Sequence, residues 1–235
     1  MTRRSALPTL EDKPVFVRQM FDRIAERYDL VNRIMTFGLD QRWRRQLVDA
    51  LALAPGDVAV DLACGTGDLM EMLTARGARV IGVDFSGEML QANARRQPQA
   101  LLVQADGAAL PLSDASTSAI TCGFALRNFA NLEAVLAECA RVLVPGGHLA
   151  LIEVDEPRSA VVRALHAIHF RKLVPIVGGM LSDRDAYRYL PESTRFLPNE
   201  SDLRALLAKT GFADVRKTVH LFGAAQSLHA RKATP

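Results

Sequence analysis

The chain has 235 residues, 49% of them hydrophobic, and a formal net charge of +3. That suits one α/β domain with a sizeable core and excludes a disordered chain. No apolar run reaches membrane-spanning length, and so small a charge gives no argument for a nucleic-acid partner.

Residues 1–14 are polar, lack the apolar core of a secretory signal and read as a flexible tail. From 15 to 34, Phe16, Met20, Ile24 and Val31 recur at roughly helical spacing, which predicts a helix. Residues 40–53 predict a second amphipathic helix, ended by Pro55-Gly56. In it Arg42, Arg44 and Arg45 flank Trp43, a pairing suited to anionic lipid headgroups or simply a solvated face. Residues 58–62 predict a buried strand that runs through Asp61 into Gly65-Thr66-Gly67 and then a helix from Asp68. The two glycines let a ligand approach the backbone closely. A dinucleotide fingerprint would need a third glycine where Met70 stands, and Asp68 would repel a diphosphate. A ligand with a sulfonium and an α-amino group suits this loop better, and S-adenosylmethionine has both.

A second strand, 78–83, ends in Asp84, whose carboxylate can accept two ribose hydroxyls. The helix at 87–96 follows. A third strand, 100–104, leads to Asp106, placed to reach an adenine amino group. A fourth, about 118–122, runs into Gly123-Phe124-Ala125-Leu126-Arg127-Asn128. A helix at 132–143 and a turn at 144–147 lead to a fifth strand, 148–154. The segment 157–198 breaks the alternation and reads as an insertion over the site. A helix at 200–210 and strands at 215–221 and 224–230 complete a doubly wound, mostly parallel seven-stranded sheet with an antiparallel edge hairpin. The expected organisation is therefore the tail and one domain, 15–235. His166 and His169 sit at i, i+3 without an evident third ligand, so no metal site is expected. Cys64, Cys122 and Cys139 form no C-x-x-C pair, which fits a reducing cytoplasm.

Several motifs point further: Phe21-x6-Tyr28-Asp29-x2-Asn32-x2-Met35-x2-Gly38-x4-Trp43, Phe124-x2-Arg127-Asn128, Arg141-Val142-Leu143-x-Pro145-Gly146-Gly147, and Tyr187-x-Tyr189-Leu190-x2-Ser193-x2-Phe196-x-Pro198. With these the chain resembles the class I S-adenosylmethionine-dependent methyltransferases, and more narrowly the UbiE-type ubiquinone/menaquinone C-methyltransferases. The resemblance implies ring methylation of a prenylated quinol, with S-adenosylhomocysteine as coproduct. Cofactor contacts are expected from Asp61, Gly65, Thr66, Gly67, Asp84, Phe85, Asp106, Gly107 and Gly123, of which the resemblance carries over Thr66, Asp84 and Asp106. Asn128, Tyr187 and Tyr189 fall at substrate positions. Arg127, as a fixed charge against a phenolate oxygen, and Tyr28 are the catalytic candidates. A lipid substrate implies a transient membrane surface as partner and a peripheral location on its cytoplasmic face; a homodimer is left open. The chain departs from the family where Asp106-Gly107 replaces Asn-Ala, where Gly123 replaces a serine, and in Ile152-Glu153-Val154-Asp155. A methyltransferase of another small molecule, a nicotinamide-binding protein and a non-catalytic member of a quinone-synthesis complex are the alternatives.

Overall fold

A computed structural model describes residues 7–9, 11–157, 159, 162–164 and 182–234. Much of the expected insertion, with His166 and His169, lies outside the described residues. Helices α1 (Lys13–Ile24), α2 (Tyr28–Thr36) and α3 (Leu39–Asp49) lead into β1 (Val58–Leu62), α4 (Asp68–Thr74), β2 (Arg79–Asp84), α5 (Gly87–Arg96), β3 (Leu101–Gln104) and β4 (Thr117–Gly123). Then come α6 (Leu132–Val142), β5 (Leu143–Val154), α7 (Arg184–Ser193), α8 (Glu200–Lys209), β6 (Phe212–His220) and β7 (Ala225–Lys232).

The seven strands form one sheet in the order β3-β2-β1-β4-β5-β7-β6. The pairs from β3 to β5 are parallel, and β7 runs antiparallel to both β5 and β6. Strand order reverses between β1 and β4, so a crevice opens at their carboxyl ends. Period-two alternation divides the core. Val60, Leu62, Ile120, Leu149 and Leu151 face α6 and α8, while Ala59, Ala119, Ala150 and Ile152 face α3 and α4.

The structure corrects three expectations. The helix expected over 15–34 is broken by a 3-10 turn at Ala25–Arg27, and α1 already starts at Lys13, inside the expected tail. Strand β5 begins at Leu143 and absorbs the expected turn, with a register shift opposite Thr117/Ala119. Trp43 is buried and stacks on His220 with ring centroids 5.6 Å apart, so it is not free to meet headgroups.

Candidate active site

The glycine loop owes its shape to packing on both sides of β1. Asp61 pairs in register with Gly82 on β2 and Thr121 on β4. A Cβ at Gly82 would fall 2.4 Å from the Met70 sulfur. The close helix–strand approach that a third loop glycine usually provides is thus supplied here from the strand, and Met70 fills the space. Gly67 has φ +94°, and a Cβ there would lie 2.2 Å from Gln97 Nε2. Asn93 and Gln97 of α5 brace the loop by donating to the carbonyls of Gly65 (3.2 Å) and Gly67 (3.1 Å). Their i, i+4 amide spacing is the sequence signal for this brace, and neither residue is among the expected site residues above.

A cavity of about 210 Å³ opens at the carboxyl ends of β1, β2 and β4. Of the expected residues, Tyr28, Asp61, Gly65, Thr66, Asp84, Phe85, Asp106, Gly107, Gly123 and Asn128 are on its wall. Gly67, Arg127, Tyr187 and Tyr189 are not among its lining residues. Gly67 shapes the loop from behind. Tyr187 and Tyr189 are fully buried in the cluster that joins α7 to the N-terminal helices. Tyr189 still reaches the site indirectly, since its hydroxyl donates to Asn128 Oδ1 at 3.2 Å.

Arg127 differs most from expectation. It is buried, ion-paired with Glu153, and donates to Ser193 Oγ (3.1 Å) and the Phe124 carbonyl (2.9 Å). Its charge is balanced inside the protein rather than presented to the cavity. Asp68 is corrected in the same way. It does face the cavity, but its carboxylate accepts from Arg33 (3.0 Å), Arg96 (2.8 Å) and Gln41 (2.7 Å). Burial opposes its ionisation, yet the nearby arginines outweigh that and hold its carboxyl below the usual range.

The carboxylate left for a cation is Asp61. Its Oδ1 accepts from Thr121 at 2.7 Å, and its Oδ2 is buried without a hydrogen-bond partner. Burial pushes its carboxyl up to about 7. A positive ligand at that oxygen would satisfy the orphaned lone pairs and favour ionisation. Asp84 is a different acceptor. Each of its oxygens already takes one backbone N–H, from Gly65 and from Ser86, both at 2.8 Å. A carboxylate oxygen can accept again, so hydroxyls could add to these bonds. Asp106 accepts from the Ala108 N–H at 2.9 Å and is exposed at the cavity rim. The second orphan on the wall is Asn128 Nδ2. The Tyr28 phenol is raised by burial and stays protonated. Among the described residues, no group of three or more His, Cys, Asp or Glu could hold a metal ion.

A mostly parallel sheet with a reversal point, a two-glycine loop and, in place of a phosphate cradle, a buried acid with one unsatisfied oxygen are the features of a class I S-adenosylmethionine-dependent methyltransferase, and the donor set fits that cofactor. Solved structures share the fold. An S-adenosylmethionine-dependent methyltransferase from Thermotoga maritima superposes with a TM-score of 0.66 at 21% identity, over 92% of this chain and 99% of that one. A phosphoethanolamine N-methyltransferase from Haemonchus contortus, solved with S-adenosyl-L-methionine, gives 0.61 at 12% identity, over 83% and 53%. The chain belongs to the ubiE/COQ5 methyltransferase family, which matches residues 9–232. It is 45% identical over 215 residues to a demethylmenaquinone methyltransferase of Thermus thermophilus, covering 88% of this chain and 96% of that protein. It is 38% identical over 205 residues to a ubiquinone/menaquinone biosynthesis C-methyltransferase of Syntrophotalea carbinolica, covering 85% and 86%.

Proposed function

We propose that this enzyme methylates a ring carbon of a prenylated quinol of the demethylmenaquinol type, using S-adenosylmethionine. The observation that carries the reading is the pair of orphaned polar atoms on one cavity wall, Asp61 Oδ2 and Asn128 Nδ2. One suits a cation, the other a ring oxygen. Relatives named for this reaction support the substrate class.

In this reading Asp61 holds the amino-acid end of the cofactor, Asp84 the ribose hydroxyls and Asp106 the adenine edge, with Phe85 beside it. Gly107 and Gly123 leave room: a Cβ would stand 3.2 Å from Phe129 and 3.0 Å from Leu69, respectively. The bound sulfonium supplies an electrophilic methyl carbon and leaves as a thioether. The ring must then bring its electron-rich carbon in line, which is a positioning task. Asn128 donates to the ring oxygen, and Tyr189 fixes which way its amide points. Tyr28 adds a neutral hydroxyl. Phe21, Phe124 and Phe129 give the ring an apolar wall. As the new C–C bond forms, the ring proton leaves to water or a nearby acceptor. Arg127 is assigned a positioning role behind Asn128. A prenylated substrate resides in a bilayer, so the enzyme works at a membrane surface and peripherally. Among the described residues no helix is long and apolar enough to cross one.

The test is incubation with trideuteromethyl-labelled cofactor and short-prenyl demethylmenaquinol, with and without a reductant. Mass spectrometry should find label on the ring only when the acceptor is reduced, because the quinol is the electron-rich form. Tight cofactor binding with no labelled quinol would reject the substrate assignment.

A further inference from the structure

Of the three arginines that flank Trp43 in sequence, Arg42 and Arg45 are exposed and Arg44 is buried. Asp40, Arg44 and Val48 recur at four-residue spacing, so α3 turns Arg44 inward with its buried face.

A buried arginine needs an anion. Asp40, one turn earlier, is ion-paired with Nη1 of Arg44. Asp40 is itself held by Thr36 Oγ1 (2.7 Å) and Gln41 Nε2 (3.2 Å). Asp68 lies 4.0 Å from the same Nη1, beyond hydrogen-bond reach. Nε and Nη2, the other edge of the planar fork, make no hydrogen bond among the described residues. The side chain lines the cavity, with its guanidinium carbon 5.0 Å from the ring centroid of Phe124 on the same wall. Its charge favours ionisation of Asp61, Asp68 and Tyr28, three further wall residues.

The wall has one other cation among the described residues, Arg18, whose guanidinium lies 5.8 Å from the Phe85 ring, just past the end of β2. Arg18 therefore belongs to the Asp84 end of the cavity and Arg44 to the Asp61 end. The remaining wall charges are negative: Asp29, Asp61, Asp68, Asp84 and Asp106. Such a wall suits a sulfonium and an ammonium group and repels a carboxylate. S-Adenosylmethionine carries all three, and its carboxylate is bonded to the same carbon as its ammonium. The acid that takes the ammonium must therefore stand near a cation that takes the carboxylate.

We infer that Arg44 binds the α-carboxylate of S-adenosylmethionine through Nε and Nη2, while Asp61 takes the α-ammonium. This rests on the cofactor assignment above and not on the quinol. Asp40 is a positioning residue: it holds one edge of the fork and leaves the other preset for a bidentate contact. Together Arg44 and Asp61 make the site read a zwitterion rather than a bare cation.

The probes are S-adenosylmethionine and decarboxylated S-adenosylmethionine, which keeps the sulfonium and the amine and lacks the carboxylate. The readout is calorimetric binding without quinol, expressed as the ratio of the two affinities. The parent should prefer the intact cofactor by roughly 10- to 100-fold, the scale of a charge-assisted bidentate contact. Asp40→Asn/Arg44→Met removes both charges of the pair, so that neither is stranded, and should bind the two ligands alike. Arg44→Lys leaves Asp40 paired, keeps the charge and loses the fork, so its preference should fall several-fold. A parent indifferent to the carboxylate would overturn the inference, and so would an unchanged preference in either folded variant. An unchanged preference joined to lost methyl transfer would give Arg44 to the ring oxygen instead. A parent that binds neither ligand would overturn the cofactor assignment and the role of Arg44 together.

Discussion

At the scale of single residues the decisive group is Asp61. A carboxylate on a strand whose neighbours are fully buried would be a liability in a core without a ligand. Here one oxygen is held by Thr121 and the other waits at the cavity. With its folded carboxyl near 7 and the ordinary value at 3.8, the ligand-free protein keeps a proton that the unfolded chain releases. That contribution to stability is complete below the ordinary carboxylate range and is lost as pH rises toward 7. Cofactor binding has the opposite sign, because the cation prefers the ionised acid. S-Adenosylmethionine affinity should weaken roughly tenfold for each pH unit below 7. Asp61→Asn should bind weakly at every pH, with a flat profile. Calorimetric titration of both proteins between pH 5.5 and 7.5 checks this, and a flat profile for the parent would remove Asp61 as the cation's partner.

At the scale of elements, Arg127 couples three pieces of chain. It lies in the turn after β4, its ion-pair partner Glu153 is on β5, and Ser193 ends α7. Glu153 is fully buried. Arg127→Ala would strand that charge at a cost of about 3–5 kcal/mol, which should appear as a large drop in melting temperature. The double variant Arg127→Met/Glu153→Gln removes both charges and should recover most of it. If Arg127 only positions the loop, single turnover per folded molecule survives in the double variant. A loss of roughly 100- to 1000-fold at recovered stability would instead restore a direct charge role. This is also where the legibility of the sequence ends. Strand alternation, the Asp61-to-Gly67 run and the strand-end acids Asp84 and Asp106 are local patterns, and each is found where it was expected. The compensation of Asp68 by Arg33 and Arg96 joins residues about thirty positions apart, and that of Arg127 by Glu153 spans twenty-six. No periodicity carries such pairings, so the sequence suggested a free charge at both. Trp43 misled for a related reason: its arginine neighbours suggest a surface, and only the packing of His220 reveals burial.

At the scale of the whole molecule, α1 and α2 roof the carboxyl edge of the sheet and are tied down by polar contacts. Ser86 Oγ donates to Asp22 at 2.5 Å, Thr66 Oγ1 to Asp29 at 2.6 Å, and Arg33 to Asp68 at 3.0 Å. Lys13 donates to the Phe129 carbonyl at 2.7 Å. Each tie lands on or beside a residue that lines the cavity, which places this roof where it could gate cofactor exchange. Asp29 and Thr66 also border a second hollow, with Arg95 and Arg96. Cutting two ties with Asp22→Ala/Asp29→Ala removes two half-buried, solvent-screened hydrogen bonds worth about 0.5–1 kcal/mol each, about 1–2 kcal/mol in all. The open state should gain by that amount, and S-adenosylhomocysteine should leave roughly tenfold faster. The lone tryptophan, Trp43, is next in sequence to Arg44 of the cavity wall and offers a fluorescence signal for stopped-flow displacement. Faster release with the melting temperature nearly kept would identify the roof as the gate. An unchanged release rate in a folded double variant would mean that the cofactor exchanges by another route.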